Sequence, residues 1–444
     1  MRVHFIGIGG IGVSSLAQYY LAKGSEVSGS DLAFSEITEL LKNKEAKLFL
    51  EGHKKENISK DLDLVIFSPA VQEDNPEIIQ AKDYGIKVLS YPQALGRLSK
   101  DYFTIAVSGS HGKSTTTAML SLILIKAGLD PTVILGTKLK EFENSNFRLG
   151  HSKYLIIEAD EYQASFLNYY PNIIVLTNVE EEHLDFFGSF ENIFRAFRDY
   201  VNHLPEDGYL VINSDDENVK KIRRAIDVKN INIRPYSLLL PESTQLKNIL
   251  KIPGDYNISN AMAALTIARI LEITDKISFE ALSEYIGAWR RFEIKEARID
   301  DKNFTIISDY AHHPTEVEVT LRAVREKWPK KNIWTVFQPH QYQRSFYLFE
   351  KIVKVFKEAE VQKIIFVPIY SVAGRETEEI KHKVSSLKIV EAIREERKDE
   401  RKNIIYISSL PEVKSFLEKT IQGEEIVVIM GAGDIYKLSK MFST

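Results

Sequence analysis

A glycine-rich loop followed by a lysine and a serine is the segment whose residue types and spacing most directly indicate chemistry. The apolar run at residues 103–107 leads into SGSHGKST at 108–115, and an apolar helical pattern follows. Backbone N–H groups of such a turn can hold the β- and γ-phosphates of a nucleotide, while Lys113 reaches their oxygens and the Ser114 hydroxyl ligates Mg²⁺. Val107 stands where the full Walker pattern has its first glycine. The predicted nucleotide-binding residues of this loop are Gly109, Ser110, His111, Gly112, Lys113, Ser114 and Thr115.

Acidic side chains follow the next two predicted strands. The run YLIIEADE at 154–161 ends in Glu158, Asp160 and Glu161, and NIIVLTN at 172–178 is followed by VEEEH, which ends at His183. The carboxyl ends of parallel strands meet at one edge of a sheet, so these groups could converge on the phosphate loop. Each acid taken singly could equally be a helix N-cap or a surface charge. Their joint position favours a site for Mg²⁺, which prefers oxygen ligands.

A second glycine loop lies at the N-terminus. The run VHFIGI contains Gly7 and leads into Gly9 and Gly12 at the G-x-G-x-x-G spacing, and Asp31 follows Gly12 by 19 residues. Glycines at this spacing let backbone N–H groups approach a pyrophosphate at a helix N-terminus, and the acid can accept ribose hydroxyls. The pattern alone leaves open a dinucleotide such as NAD, another diphosphate ligand, or only a tight strand-to-helix turn.

Polar loops also follow predicted strands in the last third of the chain. FTIIS is followed by DYAHHP, which contains Asp309 and His312, and IWTVFQ is followed by PHQYQR, which ends at Arg344. Two histidine-containing loops at strand ends are difficult to explain by core packing.

Two further polar segments lie between these groups. GDYNISN contributes Asn257 and Asn260, which could contact an adenine or cap the following helix. WRRFE contributes Arg291, which could contact a triphosphate or be a surface charge.

The elements that must position these residues follow from hydrophobic periodicity. Short apolar runs alternate with helical patterns, which predicts an α/β protein with parallel sheets and crossover helices. The predicted strands are VHFIGI, DLVIFS, YFTIAVS, YLIIEA, NIIVLTN, YLVINS, FTIISDY, IWTVFQ, IIFVPIY and IVVIMGAG. Helical patterns include residues 78–84, 115–127 and 317–328. Because 444 residues are too many for one core, we predict three domains, at 1–98, 99–292 and 293–444.

Composition excludes several classes of protein. The chain has no cysteine, which rules out disulfides, thiolate catalysis and Cys-ligated metal sites. Its 58 Lys and Arg against 62 Asp and Glu are too balanced for a protein that tracks a nucleic acid backbone. Glycines interrupt the N-terminal apolar segment, and no segment approaches the roughly 18 apolar residues of a membrane helix. We expect a cytoplasmic protein with no nucleic acid partner and no membrane insertion; an oligomer is compatible with the sequence.

Taken together and in order, the motifs resemble those of the Mur ligase family over essentially the whole chain. They are HFIGIGGIG, GSD, SPAV, GSHGKSTTT, EADE, TNVEEEHLD, GDYNISNAMAA, RRFE, DYAHHPTE, FQPHQYQR and GAGDI. The resemblance implies three domains, each with a mostly parallel sheet flanked by helices: an N-terminal Rossmann-like domain for a UDP-sugar, a central P-loop ATPase-like domain, and a C-terminal Rossmann-like domain for an amino acid. It is strongest with the members that use ATP and Mg²⁺ to join L-alanine to the carboxylate of UDP-N-acetylmuramate through an acyl phosphate.

The same resemblance implies roles for individual residues. Lys113 would hold ATP phosphates, Ser114 and Glu158 would bind one Mg²⁺, and His183 would bind a second. The implied catalytic residues are Lys113, His183, His312 and Arg344, of which His312 and Arg344 would also position the amino acid. Further implied ATP contacts are Asn257, Asn260, Arg291 and Asp309. The implied UDP-sugar contacts are Gly9, Gly10, Ile11, Ser30, Asp31, Ser68, Pro69 and Ala70.

Some residues depart from the family pattern, and three alternatives stay open. Tyr162 and Gln163 follow EADE where the family commonly has serine and aspartate, and Gln341 stands where an arginine is common. No lysine lies between His183 and Lys220, so no carbamylated lysine is predicted. The EADEY segment also resembles the ligase that joins a whole peptide to the same UDP-sugar, whereas FQPH followed by an arginine favours alanine. An NAD-dependent oxidoreductase would leave the GKS loop unexplained, and a non-enzymatic nucleotide switch would bind ATP without turnover.

Overall fold

The computed structural model describes residues 1–50, 52–226, 230–372, 376 and 378–442. Three β-sheets form in this part of the chain, one within each predicted domain, with helices between the strands. Contacts divide the chain into two compact units, Met1–Leu250 with Ile258–Tyr285 and Lys251–Asn257 with Ile286–Thr444. The first unit contains the first two sheets and the second contains the third, whereas the three domain boundaries given above stay predictions.

The N-terminal sheet has five parallel strands in the order β3-β2-β1-β4-β5. Its strands are β1 Arg2–Ile6, β2 Glu26–Ser30, β3 Lys47–Phe49, β4 Leu64–Phe67 and β5 Lys87–Ser90. Its helices are α1 Ile11–Ala22, α2 Glu36–Asn43, α3 Pro76–Asp83 and α4 Tyr91–Ser99. The strand order reverses at β1, so the loops after β1, β2 and β4 meet in a crevice of the kind that binds ligands.

The central sheet has seven strands in the order β12-β11-β10-β6-β9-β7-β8, all parallel except the antiparallel pair of β7 with β8. Its strands are β6 Phe103–Ser108, β7 Thr132–Leu139, β8 Ser145–Arg148, β9 Tyr154–Glu158, β10 Ile173–Leu176, β11 Tyr209–Asn213 and β12 Asn232–Tyr236. The helices of this stretch are α5 Lys113–Lys126, α6 Leu184–Phe187, α7 Phe190–Val201, α8 Glu217–Arg224, α9 Pro241–Ile249, α10 Asp255–Ile270 and α11 Asp275–Glu284. Because β6 lies between β10 and β9, the loop after β6 is flanked by the loops that follow both neighbours.

The C-terminal sheet has six strands in the order β13-β14-β18-β15-β16-β17, parallel except for β13. Its strands are β13 Glu293–Ile299, β14 Lys302–Asp309, β15 Ile333–Phe337, β16 Lys363–Phe366, β17 Ile404–Tyr406 and β18 Ile426–Met430. The helices of this stretch are α12 Pro314–Lys327, α13 Tyr342–Tyr347, α14 Phe349–Glu358, α15 Glu378–Lys383, α16 Ser386–Glu396, α17 Leu410–Thr420 and α18 Tyr436–Lys440. Short 3₁₀ helices in the chain lie at Lys55–Asn57, Lys140–Phe142, Tyr162–Asn168 and Lys398–Asn403.

The first two sheets share one hydrophobic core. A continuous cluster of buried side chains joins Phe5 of β1 to Ile157 of β9. Buried polar contacts also join α1 to β8, since Gln18 Nε2 donates to Asn146 Oδ1 at 2.7 Å and Gln18 Oε1 accepts from Ser145 Oγ at 2.9 Å. This shared interior explains why the first two sheets lie in one compact unit.

The three helices expected from periodicity are present. Each begins two or three residues before its apolar pattern, at Pro76, Lys113 and Pro314, and ends one residue earlier than expected. The early starts have a physical reason, since the first turn of a helix is set by proline and polar residues rather than by apolar ones. No helix in the described ranges is long and apolar enough to cross a membrane.

Candidate active site

The phosphate loop between β6 and α5 has a conformation that requires glycine at two positions. Gly109 has φ +136° and Gly112 has φ +86°. A Cβ atom added at Gly109 would lie 2.0 Å from Thr177 Oγ1, and one added at Gly112 would lie 2.3 Å from Asn260 Oδ1. The two glycines therefore let the loop pack against its neighbours while its backbone turns toward the start of α5.

The end of β10 holds this loop in place. Thr177 Oγ1 donates to the His111 carbonyl at 2.6 Å, and Asn178 Oδ1 accepts the His111 N–H at 2.8 Å. The Asn178 carbonyl accepts the Ser110 N–H at 3.0 Å. Neither Thr177 nor Asn178 was assigned a role from the sequence, although both lie in the TNVEEEHLD motif.

The Lys113 ammonium lies above the loop and is paired with buried Glu161. Its Nζ donates to Glu161 Oε2 at 2.7 Å and to the Gly109 carbonyl at 2.7 Å. Burial raises the pKa of Glu161 to about 7, and the Lys113 charge opposes that rise. Burial alone would lower the pKa of Lys113, but the carboxylates of Glu161 and Asp160 outweigh it and the pKa is raised. Lys113 is therefore charged at neutral pH.

Two groups of possible metal ligands flank Lys113. Ser114 Oγ donates to Glu158 Oε2 at 3.0 Å, next to the loop. Asp160, Glu161 and His183 each offer one ligand atom, and these three atoms lie within 4.8 Å of one another. Hydroxyl and carboxylate oxygens with one imidazole fit Mg²⁺.

His183 is placed for this second group by its backbone and by an aromatic neighbour. Its backbone φ is +56°, which is unusual for a residue other than glycine. The centroid of its ring lies 4.8 Å from that of the Tyr162 ring. Tyr162, which departs from the family pattern, thus packs on the histidine predicted to bind metal. Asp160 and Glu161 are among the acids whose joint position in the sequence favoured a Mg²⁺ site, although the family resemblance gave neither of them an individual role.

The two asparagines of GDYNISN have different surroundings. Asn260 lies against Gly112, and its Oδ1 accepts from Thr116 Oγ1 at 3.2 Å. Asn257 Nδ2 donates to the Pro253 carbonyl at 2.6 Å, within its own turn. The structure brings Asn260 to the phosphate loop, whereas the contact of Asn257 is local.

At the N-terminal glycine loop, Asp31 braces the backbone. Its Oδ2 accepts the Gly9 N–H at 2.7 Å, and its Oδ1 accepts the Leu32 N–H at 2.7 Å. The turn after β4 is closed by the Ala70 N–H, which donates to Ser68 Oγ at 3.3 Å. The predicted UDP-sugar residues thus come to one sheet edge, after β1, β2 and β4; they are Gly9, Gly10, Ile11, Ser30, Asp31, Ser68, Pro69 and Ala70.

Ser30 differs from the rest of this set because its side chain is buried. Its Oγ donates to Glu77 Oε2 at 2.5 Å, and His53 Nδ1 lies 3.3 Å from the same oxygen. Burial alone would raise the pKa of Glu77, but hydrogen bonds from the side chains around it hold that pKa well below its usual range. Glu77, which the sequence did not single out, is the centre of a buried polar cluster with His4, Ser30, His53 and Asn57.

In the C-terminal sheet, Asp309 ends β14 as predicted, and its carboxylate is buried. Its Oδ2 accepts the Phe292 N–H and its Oδ1 the Ala311 N–H, both at 2.7 Å. Burial raises the pKa of Asp309 to about 6, and the nearby Arg291 charge opposes this. The Arg291 guanidinium lies over the Tyr310 ring, 4.9 Å from its centroid.

His312 and Arg344 come together through a residue that was not assigned. The His312 and His340 rings meet edge to face with centroids 5.6 Å apart, and Arg344 Nη1 lies 3.3 Å from His340 Nδ1. His312 Nδ1 lies 3.2 Å from both the Tyr310 carbonyl and Glu316 Oε2. His340 lies in the motif FQPHQYQR and Glu316 in the motif DYAHHPTE. Neither residue was assigned a role from the sequence.

Comparisons with known proteins follow the same three regions. Residues 2–103 match the model of the Mur ligase family, catalytic domain, residues 107–249 the Mur ligase middle domain, and residues 290–433 the Mur ligase, glutamate ligase domain. The UDP-N-acetylmuramate--L-alanine ligase of Acetivibrio thermocellus is 40% identical over 99% of this chain and 95% of its own length. The crystal structure of the UDP-N-acetylmuramate-alanine ligase of Thermotoga maritima has a TM-score of 0.78 at 27% identity, covering 100% of this chain and 98% of that one. A murein peptide ligase from Psychrobacter arcticus has a TM-score of 0.70 at 22% identity, covering 99% and 98%, which is a likeness of fold.

Proposed function

This chain belongs to the Mur ligase family, and we propose that it joins L-alanine to the carboxylate of UDP-N-acetylmuramate in a reaction driven by ATP. The observation that carries the proposal is the match over nearly the whole chain to a ligase named for this reaction. The chain is therefore an amide-forming ligase with UDP-N-acetylmuramate and L-alanine as substrates.

The phosphate loop is the proposed site of ATP. Backbone N–H groups of Gly112, Lys113 and Ser114 would hold the β- and γ-phosphates, because those of Ser110 and His111 already donate to Asn178. Lys113 would exchange Glu161 for a phosphate oxygen. Ser114 and Glu158 would hold one Mg²⁺, and His183 with Asp160 and Glu161 a second. Bound Mg²⁺ supplies positive charge that stabilises the transferring phosphoryl group.

The N-terminal crevice is the proposed site of the UDP-sugar. The diphosphate would lie at the start of α1, where N–H groups of the first helical turn point outward and the helix dipole favours an anion. Asp31 would act by fixing the glycine loop, since its carboxylate accepts the Gly9 N–H. We assign Ser30 the same indirect role, because its hydroxyl donates to Glu77.

The chemistry follows from the weakness of a carboxylate as an electrophile. Transfer of the γ-phosphoryl group to the muramyl carboxylate forms an acyl phosphate and ADP, and the alanine amine then attacks the acyl carbon and displaces phosphate. Lys113 and Arg291 would stabilise charge on the transferring oxygens, and Arg344 would bind the alanine carboxylate. Exclusion of water by domain closure is expected, since water would hydrolyse the acyl phosphate.

Phosphate release in the presence of ATP, Mg²⁺ and UDP-N-acetylmuramate tests the proposal. We expect turnover with L-alanine and none with a tripeptide acceptor. Release with the tripeptide alone would assign the chain to the peptide-adding ligases instead. Binding of NAD without binding of the UDP-sugar would favour the oxidoreductase alternative, and ATP binding with no turnover on any amine would favour the nucleotide switch. The cytoplasmic location and the oligomeric state stay predictions.

A further inference from the structure

The hydrogen bonds of His312 determine which ring nitrogen carries the proton. Its Nδ1 lies 3.2 Å from the Tyr310 carbonyl oxygen and 3.2 Å from Glu316 Oε2. A carbonyl oxygen and a carboxylate oxygen both accept hydrogen bonds, so Nδ1 is the donor. The neutral imidazole then has its lone pair on Nε2, and Nε2 is the atom able to take up a proton.

His340 has the opposite arrangement. Its Nδ1 lies 3.3 Å from Arg344 Nη1, and a guanidinium can only donate, so Nδ1 of His340 must accept. The His340 ring stacks on Tyr370 at an interplanar angle of 7° and meets the edge of His312. Arg344, whose cation suits a carboxylate, and His312, whose basic nitrogen suits an ammonium, thus both contact His340.

We propose that His312 is the general base that deprotonates the α-ammonium group of the incoming amino acid, and that Glu316 is a positioning residue that holds His312 in the required tautomer. The proposal rests on the proposed function, because it concerns the amine of the acceptor substrate. An α-amino acid carries its ammonium and its carboxylate on one carbon. His312 and Arg344, which both contact His340, match those two groups.

The proton balance is complete without a further reagent. His312 Nε2 takes one proton from the ammonium, and the neutral amine attacks the acyl carbon of the acyl phosphate. The C–O bond to phosphate breaks, the second proton leaves the nitrogen with the departing phosphate, and the proton on His312 returns to solvent. The products are the amide and hydrogen phosphate, with one proton released.

Glu316 also has a structural role, from which the proposed one must be separated. Its Oε2 accepts the backbone N–H groups of His312 at 3.0 Å and His313 at 3.3 Å, which caps the start of α12. The variant Glu316→Gln keeps a carbonyl oxygen able to accept these bonds and removes only the carboxylate charge beside His312 Nδ1. Glu318, exposed on the same helix, gives a matched control in Glu318→Gln.

The first experiment replaces the acceptor. Hydroxylamine is neutral at pH 7 and attacks an acyl phosphate without first losing a proton, giving a hydroxamate. His312→Asn keeps an N–H donor near the Nδ1 position and deletes Nε2. We expect this variant to lose about 10²- to 10⁴-fold in turnover with L-alanine, while hydroxamate formation from ATP and UDP-N-acetylmuramate stays at the wild-type rate. Equal loss of both rates would overturn the proposal.

The second experiment compares kcat/KM for L-alanine with the rate of hydroxamate formation in Glu316→Gln. Glu316 on α12 and the Tyr310 carbonyl lie beside His312 Nδ1, and the His340 ring meets the edge of the His312 ring. We expect Glu316→Gln to lower kcat/KM for L-alanine about 10- to 100-fold, because the carboxylate beside His312 Nδ1 is gone, and to leave hydroxamate formation unchanged. Glu318→Gln should leave both rates unchanged.

The outcomes separate this inference from the proposed function. An equal loss of both rates in Glu316→Gln, with a lower melting temperature, would assign Glu316 to helix capping alone and overturn its proposed role. If the wild-type protein forms neither the amide nor the hydroxamate, the proposed function itself fails. Hydroxamate formation by the wild type with a fully active His312→Asn enzyme on L-alanine would reject the base while leaving the ligase activity in place.

Discussion

The pair of Lys113 and Glu161 shows how a single residue of a phosphate site is kept charged in a protein interior. Burying an ammonium group without a partner of opposite charge is strongly destabilising. Removing one member of a buried ion pair leaves the other charge buried and uncompensated. Glu161, itself only 2% exposed, compensates Lys113 in the absence of phosphate. The GKS motif predicted Lys113 as the phosphate ligand. It could not predict which of the acids in EADE would face it, because that depends on how β9 ends relative to α5.

The two glycines that flank α5, Gly112 and Gly128, should differ in how an alanine substitution affects ATP binding. Gly112 precedes α5 and Gly128 follows it, with φ +86° and +75°. An alanine at either position carries the left-handed penalty of roughly 1–2 kcal/mol. Only at Gly112 would the added Cβ meet an atom, Asn260 Oδ1 at 2.3 Å, whereas Gly128 has nothing within 4 Å. We expect Gly112→Ala to lose affinity for ATP and Gly128→Ala to keep it, as measured by calorimetric titration. Similar ATP affinities in the two variants would show that the contact with Asn260 does not matter.

Residue types predicted most of the site but not the direction of every side chain. The GSD motif predicted Ser30 as a ligand contact, and its side chain instead points into the protein toward Glu77. Whether a short polar side chain at a strand end faces a ligand or the interior depends on which side chains of distant elements lie beside it. Glu77 lies 47 residues farther along the chain, and no local pattern relates the two.

At the scale of elements, the apolar runs predicted most interior strands but missed strands at the sheet edges and two interior ones, β2 and β7. All ten predicted runs form strands, among them β6, β10 and β18. The run EVSGS of β2 has only one large apolar residue. The edge strand β12 contains Pro235, which has no backbone N–H to donate to a neighbouring strand and is tolerated at a sheet edge. The antiparallel β8 and β13 also lie at edges. An edge strand has one partner, so its sequence carries a weaker apolar signal than a strand buried on both faces.

The first turn of α3 carries a prediction at this scale, because Glu77 ties that helix to β1 and β2. Glu77 is fully buried, and hydrogen bonds hold its pKa below the usual range. We expect Glu77→Gln to lower the free energy of unfolding at pH 7 by about 1.5–3 kcal/mol, the value of hydrogen bonds to a charged group. Glu73→Gln, an exposed change in the preceding loop, should have no effect.

The pH dependence of that difference has a definite sign. A carboxyl group whose pKa is lowered by folding contributes stability that is fully present above its unfolded pKa of about 4.3 and is lost as the pH falls. The gap between wild type and Glu77→Gln in urea unfolding should therefore shrink on acidification below that value. A gap that stays constant or widens would mean that Glu77 is not held ionised.

At the scale of the whole molecule, the sequence predicted three sheets but not that two of them share an interior. Alternating strands and helices reveal the number of sheets because each crossover helix must cover one. The packing of α1 on β8 through Gln18, Ser145 and Asn146 involves residues more than 120 positions apart. A polar residue in the middle of a helix does not indicate which distant strand it will contact. The predicted boundary near residue 98 therefore did not anticipate that the two sheets pack on each other.

The two phosphate sites that we propose lie within one compact unit, and they predict a division of function that can be measured. Lys113 follows β6 of the central sheet, whereas the glycine loop that we propose for the UDP-sugar follows β1 of the N-terminal sheet. We expect Lys113→Ala to lower kcat by about 10²-fold or more, since it removes a cation from the transferring phosphoryl group, and to leave the affinity for UDP-N-acetylmuramate unchanged. Lys126→Ala, which removes an ion pair with Glu280 and Glu284 at the other end of α5, is the matched control and should change neither quantity. Calorimetric titration with the UDP-sugar alongside phosphate release would measure both, with circular dichroism to establish folding. A parallel loss of UDP-sugar affinity in a folded Lys113→Ala protein would mean that one loop serves both phosphate groups, and the assignment of a separate ligand to each sheet would fail.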